Sequence, residues 1–229
     1  LSEMVVLDNQ TALIVGGFDQ NQRNLSSCEI YDPNTAQWSY TGSLNVARSY
    51  PMLVKLANGH VLSMCGGTVF GTGEATNVVE DYDPSTGQWT IVGHLLEPRF
   101  VPTATLLKDG RVLLVGGLVG GGTTASCEIY DPQTNTSVAT GSMAVSRYVH
   151  QTVILNDGKV LVTGGIGSAY FSECELFDPA TSTWSIVGSM QQSRAIGILN
   201  CFSDNSVLAA GGRNTTSSLA NGSEEFDPN

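Results

Sequence analysis

Short apolar runs bounded by turn residues recur along the whole chain. Residues 12–15, 112–115 and 160–162 are runs of this kind, and each leads towards a Gly-Gly pair. An Asn-Gly or Asp-Gly dipeptide precedes three of the five such runs, at Asn58-Gly59, Asp109-Gly110 and Asp157-Gly158. These dipeptides favour β-hairpins, because both central residues of a type I′ turn need a positive φ. No window shows a 3.6-residue apolar period over ten or more residues, so the pattern predicts strands and almost no helix.

The runs belong to a repeat with a step of 47 to 50 residues. Its first landmark is the glycine pair, found at Gly16-Gly17, Gly66-Gly67, Gly116-Gly117, Gly164-Gly165 and Gly211-Gly212. Its second landmark is an aromatic-Asp-Pro triplet, which begins at Tyr31, Tyr82, Tyr130, Phe177 and Phe226. A third column, seven residues past the aromatic, holds Trp38, Trp89, Ser137 and Trp184. Several independent columns agree, so each repeat is predicted to be one structural unit.

Each unit contains about four predicted strands. They are an apolar run, a second run that leads into the glycine pair, the strand of the aromatic-Asp-Pro triplet, and the strand of the Trp column. Serial four-stranded sheets at this period predict an all-β fold, a β-propeller.

The glycine pair, the downstream Tyr and Trp, and the repeat length together resemble the kelch repeat, over essentially the whole chain. The resemblance implies one kelch β-propeller domain over residues 1–229. Its expected blades span residues 1–45, 46–96, 97–144, 145–191 and 192–229. The fifth blade stops before its Trp strand, so we expect an incomplete last blade and a fragment of a larger ring, with a closed five-bladed ring as the alternative. The rival propeller repeat with a Trp-Asp dipeptide is not supported, because no Trp here is followed by Asp.

Two charged columns run through the repeats. Arginine occupies one position in Arg48, Arg99, Arg147 and Arg194, and glutamate occupies another in Glu29, Glu80, Glu128, Glu175 and Glu224. A residue that recurs in every blade does not recognise a single point on a ligand. The spacing therefore predicts structural Arg–carboxylate pairs, in which loss of one partner leaves the other charge buried.

Composition excludes several classes of partner. The 10 basic and 21 acidic residues give a formal net charge of −11, which argues against nucleic acid and anionic membrane as partners. No apolar stretch approaches the roughly 20 residues of a membrane-spanning helix. Ten of the 21 acids belong to the Glu and Asp columns, so the charge describes the scaffold more than the partner.

The five cysteines show no paired spacing and predict reduced thiols in the cytoplasm, with an extracellular location as the alternative. Four glycosylation-type sequons, at Asn24, Asn135, Asn214 and Asn221, shift this prediction only slightly.

The sequence contains no recognisable catalytic motif. It has no Gly-x-Ser-x-Gly elbow, phosphate loop or His-Glu-x-x-His helix, and its three histidines are scattered. The copper-radical oxidase that shares the propeller architecture needs a cluster of Tyr, His and Cys around one metal, which this pattern does not supply. We therefore expect no enzyme activity, catalytic residue, metal or cofactor, with an oxidase-like protein as the alternative.

Function on a repeated scaffold is expected where the repeats differ. The segments after the glycine pairs and after the arginine column vary most, and they supply the candidate partner-binding residues: Phe18, Asp19, Arg23, Tyr50, Phe70, Phe100, Tyr148, His150, Tyr170, Phe171 and Arg213. Aromatic residues are typical interface anchors, whereas only Arg23 and Arg213 could grip acidic side chains. The alternative interpretation is that the aromatics fill blade interfaces and that His150 only lines the channel.

These observations predict a non-catalytic interaction scaffold that presents inter-strand loops at one mouth of a propeller to a protein or peptide, monomeric as a full ring. The first alternative is the propeller of a secreted galactose-oxidase-like or carbohydrate-associated protein. The second is a purely structural spacer, in which changes at Phe18, Tyr148 and Tyr170 would alter no binding.

Overall fold

The computed structural model describes residues 2–69, 71–215, 218–220 and 222–227. Within these ranges all regular secondary structure is β, and no helix occurs. The prediction of an all-β fold is confirmed. The candidate residue Phe70 and the sequon at Asn221 lie outside the described residues.

The strands form serial antiparallel sheets in chain order. The first sheet contains β1 (Glu3–Val6), β2 (Ala12–Val15), β3 (Cys28–Asp32) and β4 (Gln37–Tyr40). The second contains β5 (Met52–Lys55), β6 (Val61–Met64), β7 (Val78–Asp83) and β8 (Gln88–His94). The third contains β9 (Thr103–Leu106), β10 (Val112–Val115), β13 (Cys127–Asp131) and β14 (Thr136–Ala139). A small hairpin of β11 (Leu118–Val119) and β12 (Gly122–Thr123) lies between β10 and β13 in the chain.

The last two sheets follow the same plan. The fourth contains β15 (Gln151–Ile154), β16 (Val160–Thr163), β17 (Glu173–Asp178) and β18 (Thr183–Ser189). The fifth has three strands in the described part of the chain, β19 (Ile198–Cys201), β20 (Val207–Ala210) and β21 (Ser223–Phe226). The predicted strand order within a repeat is therefore confirmed, and these sheets are the blades of a β-propeller.

The aromatic and Trp columns face each other across the two outer strands of a sheet. Tyr31 pairs with Trp38, Tyr82 with Trp89, and Phe177 with Trp184. The ring centroids lie 5.0, 5.0 and 5.1 Å apart, with tilts of 43°, 42° and 45°. One cross-strand geometry is thus repeated in three sheets, and Ser137 replaces the Trp in the third.

The second glycine pair is shifted by one residue relative to the other four. Strands β2, β10, β16 and β20 end directly before Gly16, Gly116, Gly164 and Gly211, but β6 ends before Cys65. Cys65 has a φ of 58°, in the left-handed region that the first glycine occupies elsewhere, and Gly66 takes the place of the second. The repeat column therefore contains Cys65, although the Gly66-Gly67 dipeptide suggested otherwise.

The chain divides into two compact units, each with its own core. The first consists of Leu1–Val101, Leu118–Gly122 and Tyr130–Val138, and the second of Pro102–Gly117, Thr123–Ile129 and Ala139–Asn229. The core of the first unit joins its first two sheets and contains Leu7, Leu13, Val15, Cys28, Leu44, Val61, Tyr82 and Trp89. The second unit has two clusters, one around Val115, Met143 and Phe177 and one around Leu161, Cys174 and Val207.

Three buried arginines join consecutive sheets in the same way. The Nη2 atoms of Arg48, Arg147 and Arg194 donate to the carboxylates of Glu80, Glu175 and Glu224 over 2.7, 2.8 and 2.8 Å. The Nη1 atom of each arginine donates to an equivalent pair of backbone carbonyls, at Cys65 and Val78, Gly164 and Glu173, or Gly211 and Gly222, and Arg48 Nη1 also reaches the Ser63 carbonyl at 3.5 Å. The predicted structural pairing of the two columns is confirmed in these three repeats. The carbonyl of Cys65 accepts the same bond as those of Gly164 and Gly211, which agrees with the place of Cys65 in the glycine column.

The glutamates also fix the segment that enters each sheet. Glu80 accepts hydrogen bonds from the backbone N–H groups of Asn45 and Val46, and Glu175 accepts them from Ala144 and Val145. Each carboxylate therefore satisfies an arginine and a turn of backbone at once. Charged groups with all these hydrogen bonds can be buried, because the bonds offset the desolvation cost that an isolated buried charge would carry.

Candidate binding loops

Four reciprocal backbone pairs set the position of the variable loops. The residue after each arginine exchanges two N–H···O=C bonds with the residue after the glycine column. The pairs are Ser49 with Gly67, Phe100 with Leu118, Tyr148 with Ile166, and Ala195 with Arg213, at 2.8 to 3.0 Å. Side chains in such pairs lie next to each other, so the three pairs without glycine each present two neighbouring side chains on a fixed base.

The residue two past each arginine has a left-handed backbone. The φ values of Tyr50, Val101, Val149 and Ile196 are 53°, 45°, 46° and 58°. This region is unfavourable for any residue with a Cβ, and most of all for β-branched residues. A conformation that costs energy in four repeats persists because the buried arginine and the backbone-paired residue directly before it fix the chain there.

In the first unit, Tyr50 and Phe100 lie in contact. Their ring centroids are 5.3 Å apart at an interplanar angle of 86°, an edge-to-face arrangement. Phe100 also covers Gly67, where an added Cβ would lie 3.1 Å from the Phe100 ring. Both rings are half-buried, so they combine packing with an accessible edge.

The loop of Phe18 and Asp19 is a small self-supporting turn. The Asp19 carboxylate accepts hydrogen bonds from the backbone N–H groups of Asn21 and Arg23 over 2.8 and 2.9 Å. The bond from Arg23 is the main reason that the pKa of Asp19 lies below its usual value. Asp19 therefore shapes the turn, while the Arg23 side chain remains exposed.

In the second unit, the candidate aromatics differ in their surroundings. Phe171 packs over the Arg147 guanidinium, with 5.4 Å between that group and the ring centroid, so it belongs partly to the scaffold. Tyr148 and Tyr170 are half-buried, and both flank Ile166 in the backbone pairing. Among the residues that the structure describes, the Tyr148 hydroxyl has no hydrogen-bond partner. Tyr148 thus offers both an apolar ring and a polar group.

His150 is a buried residue of the second unit. Its Nε2 lies 3.0 Å from the Thr103 hydroxyl, and its side chain packs against Gly116 and Gly165. Burial, together with the positive charge of Arg147, lowers the pKa of His150 to about 3. The imidazole is therefore neutral at physiological pH and contributes to packing.

Two features of the loops were not among the sequence candidates. Leu118 lies beside Phe100, and Ile166 lies beside Tyr148. Their constant position directly after a glycine pair is the sequence signal that could have identified them as loop residues. The second feature is an open pocket of about 420 Å³ in the first unit, lined by Thr68, Thr72, Gly73, Glu74, Ala75, Pro98, Gly120 and Gly121. Its wall is mostly backbone and small side chains. Nothing in the residue pattern predicts that the segment of residues 68–75 lies next to Gly120 and Gly121.

The described residues show no group suited to metal chemistry. Three or more His, Cys, Asp or Glu side chains do not come together anywhere in the described part of the chain. Nor does that part contain a helix of the length and apolar character that crossing a membrane requires.

The sequence matches the KLHDC2/KLHL20/DRC7 Kelch-repeats domain over residues 2–212. The chain belongs to the kelch-repeat family. The glycine and aromatic columns that suggested the family recur in all five sheets, and the Trp column recurs in the first, second and fourth. The resemblance seen in the sequence is therefore confirmed.

Several curated proteins are similar to parts of the kelch chain. The F-box/kelch-repeat protein At1g67480 of Arabidopsis thaliana is 32% identical over 117 residues, which cover 50% of this chain and 30% of that protein. The F-box protein AFR of the same plant is 37% identical over 82 residues, 36% of this chain and 20% of that protein. Human Kelch-like protein 21 is 32% identical over 78 residues, 31% of this chain and 12% of that protein. The matched part thus spans less than a third of each relative.

A solved structure with the same fold is that of YjhT. It superimposes with a TM-score of 0.81 at 16% identity, over 97% of this chain and 79% of that chain. At this identity the similarity concerns the propeller fold alone.

Proposed function

We propose that the kelch chain is a non-catalytic module that binds a protein or peptide through the loops after its arginine column and glycine pairs. The observation that carries the proposal is the placement of Phe100 and Tyr148. Each is a half-buried aromatic on a reciprocal backbone pair, directly after a buried arginine. Aromatics held in place by a rigid base are the usual anchors of protein interfaces.

The chemistry of the loops favours a partner with mixed apolar and polar groups. Tyr50, Phe100, Leu118, Tyr148 and Ile166 supply apolar contact, and the Tyr148 hydroxyl supplies a hydrogen bond. The exposed basic residues Arg23 and Arg213 stand singly on their loops, which gives no cluster for an acidic peptide. The F-box and Kelch-like relatives agree with a protein-binding role and do not favour the oxidase-like alternative.

The state of the cysteines supports a cytoplasmic location as part of the same proposal. None of the five forms a disulfide, and burial raises the pKa of Cys28 and Cys174 to about 11, which keeps both thiols protonated. The Asn24 amide nitrogen, which a glycan would modify, donates instead to the carbonyl of Gly67 over 2.9 Å. The fold thus uses one of the four sequons internally.

The proposal is tested by comparing captured partners. The triple variant Phe18→Ala, Tyr148→Ala, Tyr170→Ala is compared with wild type by quantitative mass spectrometry of affinity-purified material. Tyr40→Ala is the matched control, because Tyr40 is a highly exposed aromatic on the outer strand β4, away from the loops. We expect the triple variant to lose specific partners that wild type and the control retain, at an unchanged melting temperature. Equal recovery of every partner by all three proteins would show that the loops are a spacer surface.

A further inference from the structure

The open pocket of about 420 Å³ in the first unit lies between two variable loops. One wall comes from residues 68–75, which follow the second glycine pair, and the other from Gly120 and Gly121, at the tip of the β11–β12 hairpin. Pro98, directly before the buried Arg99, completes the described lining. All these segments belong to the second and third repeats, in the middle of the chain.

Glu74 brings an unused carboxylate to this pocket. Among the described residues of the lining, it is the only charged one. Its carboxylate has no hydrogen-bond or ion-pair partner in the described part of the chain. The other acids of the variable loops in the first unit are already engaged, because Asp19 caps its own turn and Glu97 lies 3.3 Å from Arg99.

The backbone of Glu74 is held on both sides. Its N–H donates to the Thr72 hydroxyl over 3.1 Å, and its carbonyl accepts the N–H of Thr68 over 2.9 Å. The side chain itself is exposed. The loop therefore presents the carboxylate from a fixed base, which is what a binding group requires.

This loop position changes its chemistry from repeat to repeat. In the first, second, fourth and fifth repeats, its carbonyl accepts a hydrogen bond from an N–H at the start of the same loop. The residue there is Arg23, Glu74, Ala169 or Ser218, in that order. The backbone bond is kept while the side chain varies, so the carboxylate is a property of the second repeat and not of the scaffold.

The rest of the pocket wall exposes main chain. At Gly73, Gly120 and Gly121, no atom of the described residues lies within 4 Å of an added Cβ. Their φ values of 76°, 57° and 81° are in the left-handed region that glycine adopts readily. Without side chains, these residues leave their peptide groups accessible to a ligand. The pocket thus combines one carboxylate with accessible main-chain carbonyls.

The scaffold shows which group such acceptors suit. Arg48, Arg147 and Arg194 each pair with one glutamate carboxylate and with backbone carbonyls of the glycine turn and the strand beside it. A guanidinium has five N–H donors in a planar fork, so a carboxylate and neighbouring carbonyls can satisfy it together. The pocket offers the same kinds of acceptor with no arginine in its described lining.

Apolar groups adjoin the pocket. Phe100 follows Pro98 by two residues, and its ring lies against Gly67, directly before Thr68 of the wall. Tyr50 meets the Phe100 ring edge to face. A cation that enters the pocket therefore has aromatic surface beside it.

We infer that this pocket binds an arginine side chain of the protein partner. The guanidinium bonds the Glu74 carboxylate and main-chain carbonyls of the glycine wall, its aliphatic stem lies on Pro98, and an apolar residue next to the arginine contacts Phe100. The inference rests on the proposed function for its occupant, and it specifies the partner segment as an arginine flanked by apolar residues.

A short blocked peptide tests the pocket directly. Acetyl-Leu-Arg-Leu-amide is titrated into the wild-type chain and followed by the amide NMR signals of the protein. We expect saturable shifts at residues 72–74 and 120–121. The peptide with citrulline in place of arginine keeps the shape without the charge and should bind at least about fivefold more weakly. Acetyl-Gly-Arg-Gly-amide should bind about threefold more weakly, because it lacks the apolar contact with Phe100.

Three variants of the protein separate charge from space. Glu74→Gln should bind the arginine peptide at least about fivefold more weakly and the citrulline peptide as wild type does. Asp8→Asn is the matched control, because it removes the same charge from a 70% exposed side chain on the hairpin between β1 and β2, and it should bind as wild type. Gly120→Asn keeps Glu74 but fills the pocket from the hairpin side, and asparagine tolerates the left-handed backbone there, so binding should also weaken. Thermal melting of each variant checks that the fold is intact.

Four results would overturn the inference. They are no saturable binding, equal affinity for the arginine and citrulline peptides, unaltered binding by Glu74→Gln, and equal weakening by Glu74→Gln and Asp8→Asn. The last result would mean that the peptide responds only to the overall negative charge.

The same experiments keep this inference distinct from the proposed function. Loss of partners by the Phe18, Tyr148 and Tyr170 triple variant, without binding of the arginine peptide, would contradict the arginine pocket alone. Binding of the arginine peptide at residues 72–74 and 120–121, together with equal recovery of every partner by the triple variant, would contradict the proposed function alone.

Discussion

Arg147 and Glu175 form an ion pair that water does not reach. Arg147 Nη2 lies 2.8 Å from Glu175 Oε1, and the two side chains are 0% and 1% exposed. The same guanidinium bonds the carbonyls of Gly164 and Glu173, and the carboxylate accepts the N–H of Ala144. One pair thus joins the incoming segment, the glycine turn and the third strand of the fourth sheet.

Removing either partner of this pair should be costly. Arg147→Ala or Glu175→Ala leaves one buried charge without its counterion, and we expect each to lower the free energy of unfolding by about 3–5 kcal/mol. The double variant should lose less than the sum of the single losses, because no unpaired charge remains. Urea unfolding of wild type, the two single variants and the double variant measures these losses.

The exposed pair of Lys55 and Asp8 is the matched control. Its atoms lie 2.8 Å apart, as close as the buried pair, but both side chains are accessible to water. Lys55→Ala should change stability by about 0–1 kcal/mol. Near-equal effects of Arg147→Ala and Lys55→Ala would contradict a structural role for the arginine column.

The pairing of these columns could be predicted from spacing because it is repeated. A contact that is repeated along the chain leaves the same residue types at the same positions, so the pairing of an arginine such as Arg147 with a glutamate such as Glu175 could be inferred without knowledge of the fold. The aromatic and Trp columns were predictable for the same reason. Repetition therefore determined most of the fold and the scaffold residues of the loops.

Features that occur once were not predictable in this way. Cys65 occupies the first position of the glycine column. Because Gly67 happens to follow Gly66, the sequence suggested a glycine pair one residue later than the structure shows. The half-buried packing of Phe171 on Arg147 and of Tyr50 on Phe100 depends on how loops fold over the scaffold. The pocket lined by Thr68, Pro98 and Gly120 likewise comes from separate segments, which no local pattern brings together.

The glycine column offers a test of backbone strain against steric contact. Gly164 and Gly211 occupy equivalent positions, each with a φ of 64°. An added Cβ at Gly164 would approach the Arg194 carbonyl oxygen far within contact distance, whereas no atom of the described residues lies within 4 Å of one at Gly211. Gly211→Ala should cost about 1–2 kcal/mol for the left-handed backbone alone. Gly164→Ala should cost about 1–3 kcal/mol more, because the crowded backbone must move.

Chemical denaturation of the two alanine variants makes the comparison. Their common φ cancels the backbone contribution, so the difference reports the contact with Arg194. Equal destabilisation would mean that the strand ends of the fourth and fifth sheets relax equally well.

The tryptophan column should contribute to stability according to burial. Trp89 is 7% exposed and packs within the core of the first unit, whereas Trp38, at the equivalent position of the first sheet, is 48% exposed. Trp89→Ala is expected to cost about 3–5 kcal/mol. Trp38→Ala should cost clearly less, because a large part of its ring already contacts water. Urea midpoints of both variants test this order, and a larger loss for Trp38→Ala would show that the rings do not act through burial.

His150 should make stability depend on pH. Its pKa in the fold is about 3, below the ordinary value of 6.5, because burial and then the charge of Arg147 disfavour the imidazolium. The unfolded chain therefore binds a proton near pH 6.5 that the fold accepts only near pH 3. Between these values the unfolded state holds more protons, so stability is complete above about pH 6.5 and decreases as the pH falls, by at most about 1.4 kcal/mol per unit. A His150→Gln variant keeps a polar side chain near Thr103 but cannot titrate. The free energy of unfolding of wild type, minus that of the variant, should decrease as the pH is lowered from 6.5 to 5. Parallel pH profiles of the two proteins would show that His150 has the same pKa in the folded and unfolded states.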